Sequence, residues 1–458
     1  MAEAMEISRV DPRRSARRRF RGLVGSLVVA LAVSGCGWLG GNDDPPLPGK
    51  RISVLEERTD LPRLSGNPED IRLPPPVPNE DWPMAGGFAN HAMHHMTMAD
   101  APQMLWRADV GSGSTTRTAL LAEPVIGGGR VFTIDSEAEV RAFDLNTGEN
   151  VWRVALPNRS DEEDDGYILG GGVAYDVQGR VYATTGFGKV VALAAATGQE
   201  LWRQDVGAPM RAAPTLNSGR VFVVTVDNQT IALAARDGRK LWTHAGSPEV
   251  ASLLGAPAPA VDKGTVVVAY SSGELFALRV ETGATLWQDS VTVQRRTDAA
   301  GDLRDIRARP VMAGDRIFVI GHSGLMTSID LATGQRVWQA ELGGVNQPWL
   351  AGTVLYVLTN ASDLVAVDAE AGDILWVTPL QAWIDPDDRD EPITWTGPLL
   401  ASDRLVVGGT NEEILAVSPY SGRILGYVEA PDGISIPPVL AQDTLVFLAD
   451  NGDLVAFR

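Results

Sequence analysis

A chain of 458 residues is long enough for two or three independent domains, unless a repeat architecture absorbs that length into one closed ring. Its 48 glycines and only four lysines suit many short strands joined by tight turns, so an all-β fold is the first expectation. The formal charge of −19 repels nucleic acid, and a single cysteine excludes an internal disulfide and any Cys-based metal centre.

In chain order, the first element is a signal. Arg13, Arg14, Arg17, Arg18, Arg19 and Arg21 precede an apolar run from Leu23 to Val33 that is short for a transmembrane helix. Small residues then lead through Val33-Ser34-Gly35 to Cys36. Residues 1–35 read as a signal peptide, and the junction resembles the bacterial lipobox, in which the cysteine thiol receives a diacylglycerol and the chain is cut just before it. The resemblance implies lipidation of Cys36. Gly37, standing where an Asp would favour retention at the inner membrane, implies sorting to the periplasmic face of the outer membrane. Residues 36–81 are crowded with proline, including Pro74-Pro75-Pro76-Val77-Pro78, and read as a semi-stiff tether that cannot bury a core.

From residue 100 onward one phrase recurs every 40 to 50 residues, the spacing of propeller blades. A glycine stands four residues before a tryptophan at Gly148 and Trp152, Gly198 and Trp202, Gly238 and Trp242, Gly283 and Trp287, Gly334 and Trp338, and Gly372 and Trp376. A seventh copy keeps Gly422 but has Gly426 in the indole's place, with Tyr427 beside it as a candidate substitute. Each phrase follows a β-branched run such as Val221-Phe222-Val223-Val224, and each run follows a shorter strand. Four strands per unit result, with the glycine accepting the positive φ of the turn between the third and fourth. A four-stranded sheet with two apolar faces must pack against neighbouring sheets, and the repeated indole reads as a structural wedge between them.

Counting closes the ring. The chain ends on Leu454-Val455-Ala456-Phe457-Arg458, the third strand of a unit whose fourth is found near the start as Met104-Leu105-Trp106-Arg107. The expected fold over residues 82–458 is therefore an all-β, eight-bladed propeller of four-stranded antiparallel blades, the last closed by strands from both termini.

Little in the sequence promises catalysis. His91, His94 and His95 can bind a metal or pack a clasp, and no further ligand stands near them in sequence. Gly321-His322-Ser323-Gly324 occupies a hairpin position rather than a nucleophile elbow. The acidic runs 161–165 and 385–391 lack the spacing of a calcium loop and read as solvated insertions. No cofactor is expected.

The Gly-and-Trp phrase, with Trp82-Pro83-Met84-Ala85-Gly86-Gly87 ahead of it, resembles the pyrroloquinoline-quinone propellers. The vicinal cysteine pair of the dehydrogenases in that group is absent here. A propeller with a lipid anchor and a tether resembles most closely the BamB family of the β-barrel assembly machinery. That resemblance implies a non-enzymatic scaffold that binds the POTRA domains of BamA and other assembly subunits, and helps insert unfolded outer-membrane proteins. It places the partner contact on two loops, with Ser252, Leu253, Leu254 and Gly255 on one and Leu303, Asp305 and Arg307 on the other. The leucines are either exposed anchors or caps of the core. The alternatives are a quinoprotein dehydrogenase and a saccharide-binding periplasmic propeller.

Overall fold

The computed structural model describes residues 62, 64–115, 118–156, 170–249, 253, 255–292 and 305–458. Among them are eight four-stranded antiparallel sheets. The first blade is built from Val125–Gly127, Arg130–Ile134, Glu139–Asp144 and Asn150–Ala155. Six more follow in chain order, opening on Gly171–Asp176, Thr215–Asn217, Ala260–Asp262, Val311–Ala313, Trp349–Ala351 and Trp395–Ala401. The eighth joins Val439–Ala441, Thr444–Leu448 and Asp453–Phe457 to Met104–Asp109 from the other end of the folded chain. Backbone hydrogen bonds between Gln103 and Arg458, at 2.9 and 3.0 Å, lock this clasp.

Each turn between third and fourth strands is set locally. In the first blade the Asp144 carboxylate accepts the N–H groups of Asn146 and Thr147, and Gly148 closes the turn at φ 71°. A one-residue register shift follows, which sets the indole of Trp152 opposite the small Ala142. The same small-opposite-large pairing recurs, as at Ala192 and Trp202, Ala232 and Trp242, and Ala366 and Trp376.

The glycine and tryptophan of one phrase serve different neighbours. The Trp152 indole N–H donates to the Ala195 carbonyl of the second blade at 2.8 Å, and Trp202 reaches Ala235 of the third at 3.0 Å. A Cβ on Gly198 would lie 2.8 Å from the Trp152 ring. The glycine turn is thus a seat for the preceding blade's indole, needed for space as well as for φ. Trp106, Trp242, Trp287, Trp338 and Trp376 repeat the arrangement on the next blade's turn.

The seventh blade departs from this pattern in a way that corrects the sequence reading. Gly426 takes the indole's place opposite Ala416, and Tyr427, half exposed beside it, does not stand in for the ring. The reason lies one blade further on. The eighth blade has no turn between its third and fourth strands, because both strands end at the clasp, so an indole there would have no seat.

The segment before the clasp forms an arc over all eight blades. Trp82 exchanges two backbone bonds with Ile126 at 2.8 Å, Pro83 accepts from Tyr175, Ala89 from Val261, and Asn90 from Met312. The Trp349 indole donates to His94, Ser402 to Met96 and Gln442 to Asn79, while the Leu216 N–H approaches the Met84 sulfur at 3.1 Å. Most of these contacts fall on or beside first strands, where the short innermost strands leave backbone groups to be satisfied.

The Pro-rich tether expected over residues 36–81 is accordingly shorter at its far end. Ser65 and Gly66 donate to the Ile374 carbonyl at 3.0 and 3.1 Å, and Ile71 is buried in the main core. Proline has no N–H to leave unsatisfied, so such a segment can lie against a blade rim without a ladder of its own. The second acidic insertion also carries structure, since Trp383–Asp385 pairs with Asp390–Pro392 as an exposed hairpin.

Candidate partner-binding face

In a blade of four antiparallel strands, the turns after the first and third strands lie at one end, and the links from one blade to the next lie at the other. The arc meets the turn end, through Gly128, Ser402 and Gln442. The loops singled out in sequence are links between blades three and four and between blades four and five. They therefore lie at the link end, which the arc also reaches through Gly86 and His91.

The structure brings the described parts of these two loops together. The Leu253 N–H donates to the Asp305 carboxylate, and Asp305 is 4 % exposed. The Asp305 carbonyl in turn accepts the His322 N–H at 3.0 Å, which ties the pair to a hairpin of the fifth blade. Gly255 sits at φ 95°, where an added Cβ would lie 3.1 Å from the Arg307 guanidinium. Ser252, Leu254, Leu303 and Cys36 lie outside the described residues. Leu253 and Gly255 are half-buried.

Electrostatics sharpen the picture. Burial raises the Asp305 carboxyl above the ordinary range, against the opposing pull of the Leu253 N–H, His322, Arg307 and Arg211. Burial and the nearby Arg309 hold Arg307 below its ordinary value, with Asp305 opposing them. Arg307 is half-buried and makes no hydrogen bond or ion pair among the described residues.

A polar cluster that no sequence pattern announces lies among the inter-blade links. Glu123 is buried, pairs with the Arg309 guanidinium and accepts the Gly86 N–H at 2.8 Å. Arg309 also donates to Gln347 at 2.6 Å, and Gln347 to the His91 carbonyl at 3.0 Å. Glu123, Arg309 and Gln347 come from three separate inter-blade links and meet on the tight turn from Met84 to Gly87. No spacing rule connects such residues, since only closure of the ring makes them neighbours.

Two of the three histidines of the arc pack inside it. His91 and His95 are buried, and His94 has its side chain exposed. The His95 ring donates through Nδ1 to the Pro74 carbonyl at 2.7 Å and accepts the Asp403 N–H on Nε2 at 3.0 Å, which fixes the neutral tautomer. His91 Nδ1 donates to Pro310 at 2.8 Å, and burial, with Arg309 nearby, pushes its pKa down to about 3. Among the described residues no three His, Asp or Glu side chains converge on a metal position.

Comparison with known proteins follows the same lines. The profile of the family described as outer membrane protein assembly factor BamB matches residues 97–163, 136–378 and 361–458. The chain is 31 % identical to the outer membrane protein assembly factor BamB of Escherichia coli K12, over 77 % of this chain and 87 % of that protein. It is 28 % identical to the protein of the same name in Yersinia pestis, over 78 % and 89 %. Among solved structures, BamB from Moraxella catarrhalis superposes with a TM-score of 0.67 at 19 % identity, covering 78 % of this chain and all of that one. The quinohemoprotein alcohol dehydrogenase of Comamonas testosteroni gives 0.64 at 14 %, covering 82 % and 80 %, a likeness of fold alone.

Proposed function

The chain belongs to the BamB family of outer membrane protein assembly factors, and from that premise we propose that it is a non-catalytic scaffold whose link face binds the POTRA domains of BamA. The observation that carries this reading is the joining of the two predicted loops. The hydrogen bond from Leu253 to Asp305 and the closeness of Gly255 to Arg307 bring together segments some 50 residues apart. The patch lies at the link end of the blades.

In this reading Ser252, Leu253, Leu254 and Gly255 supply the apolar part of the contact, and Leu303, Asp305 and Arg307 the polar part. Residues 1–35 are a signal peptide, and Cys36 carries a lipid that holds the protein at the periplasmic face of the outer membrane. A tether from residue 36 leads to the propeller. Other assembly subunits and unfolded outer-membrane proteins are the remaining partners, with strand addition to blade edges as one mode of holding a client. No enzymatic activity and no cofactor form part of this function.

The test is capture of BamA by the full chain carrying Leu253→Asp and Leu254→Asp. Capture should fall at least about tenfold, equivalent to about 1.4 kcal/mol, while the melting transition persists. Capture unchanged from the parent protein rejects this patch. A stoichiometric, dye-reducing complex with pyrroloquinoline quinone and calcium would reject the non-catalytic reading itself.

A further inference from the structure

The outer strand of the seventh blade, Ile424–Glu429, is exposed at every position, with Ile424, Leu425, Tyr427 and Val428 at 46, 45, 49 and 36 %. In six other blades the residue after the indole is Arg107, Arg153, Arg203, Thr243, Gln288 or Gln339, and polar side chains of this kind discourage pairing at a sheet edge. The sixth blade has a comparably apolar edge, but Ser65 and Gly66 lie across its Ile374 and Leu375. The seventh blade has neither protection among the described residues. Its edge combines exposed apolar side chains with a row of backbone groups that no neighbouring strand pairs, a combination that favours strand addition.

The sequence of this edge says what fits it. If two copies pair antiparallel about a two-fold axis at Gly426, Leu425 falls opposite Tyr427, Ile424 opposite Val428, and Arg423 opposite Glu429. Every cross-strand pair is then either apolar with apolar or positive with negative, the arrangements that stabilise antiparallel neighbours. The pairs occur twice by symmetry, as in an isologous contact. Gly426 carries no side chain and its Cβ direction is open, so no pair of side chains crowds the axis. Arg423 and Glu429 are exposed and form no ion pair within the described chain, so both are available across such an interface.

We propose that the outer strand of the seventh blade is a self-association edge, at which a second copy of this chain adds antiparallel to form a continuous eight-stranded sheet. The contact is small beside the roughly 1,600 Å² of a standard interface, so association belongs in the micromolar range or weaker. The proposal does not rest on BamA binding, and its failure would leave the link-face patch untouched.

Sedimentation of the full chain in detergent, followed to high micromolar concentration, should show a monomer–dimer equilibrium. Arg423→Glu and Glu429→Arg each place two like-charge pairs in the homodimer and should weaken it about tenfold or more. Mixing the two variants creates a heterodimer with both pairs attractive, and dimerisation should return to the parental level. The strand is exposed, so the thermal transition of each variant should stay near that of the parent. A parent that remains monomeric at all concentrations overturns the proposal. So does a dimer unaffected by either reversal, or one that the mixture fails to restore. A monomer that takes up an extended foreign peptide at this strand would instead assign the edge to a heterologous partner.

Discussion

At seven seams of the ring an indole N–H reaches a carbonyl of the next blade, and the ring of that tryptophan rests on a glycine turn. Between the seventh and eighth blades both halves of the device are missing together, the indole at Gly426 and the turn at the clasp. The arc supplies a different staple there. His95 receives the Asp403 N–H of the seventh blade, Asn79 binds Leu440 and Gln442 of the eighth, and Val77 and Met96 pair the two passes of the arc between them. The contrast shows that the Gly and Trp repeat is a relation between neighbouring blades. The blade that lacks its tryptophan is the one whose successor lacks the turn.

The largest effect expected from this contrast is at an indole seam. Trp242→Ala should cost about 3–5 kcal/mol in urea unfolding, through lost burial and the orphaned Val280 carbonyl. A loss below about 1 kcal/mol would mean that the wedges are dispensable. At the exceptional seam, His95→Ala should cost about 1–3 kcal/mol by removing a buried ring and its two part-buried hydrogen bonds, and a neutral result would remove the arc as the compensating staple.

Acid should act on the arc through His91. Its pKa is about 6.5 in an unfolded chain and about 3 here, so below pH 6.5 the unfolded state binds the extra proton. The stability held at neutral pH is therefore lost as pH falls from 6.5 toward 3, by up to about 1.4 kcal/mol per pH unit from this group. Denaturant titrations at several pH values should show that slope, and His91→Asn should flatten it. The smallest effects separate the two kinds of glycine. Gly198→Ala, at φ 74° and against Trp152, should cost at least about 1–2 kcal/mol, whereas Gly426→Ala, facing open space, should stay within about 0.5 kcal/mol. Equal costs would erase the distinction between seats and the vacant position.

Much of this molecule was legible before any coordinates. The interval between phrases, the truncated last unit and Trp106 near the start give eight blades and a clasp, because each blade is a local unit whose strands and turns are written in consecutive residues. The candidate face was legible only in part. Leu253 and Asp305 were named from resemblance, but the hydrogen bond that joins them was not, and Leu253 proved to be half-buried. That Tyr427 does not replace the indole could not be read locally, because it depends on a turn missing from the next blade.

By itself the sequence determined the repeat, the blade count and the residues that recur, since local backbone preferences and the period of apolar residues act over a few positions at a time. Only the tertiary structure decided what those residues touch. The pairing of Gly198 with Trp152, the meeting of Glu123, Arg309 and Gln347, and the course of the arc over eight first strands all depend on closing the ring. Closure sets residues hundreds of positions apart within a few ångströms, and no local preference records that distance.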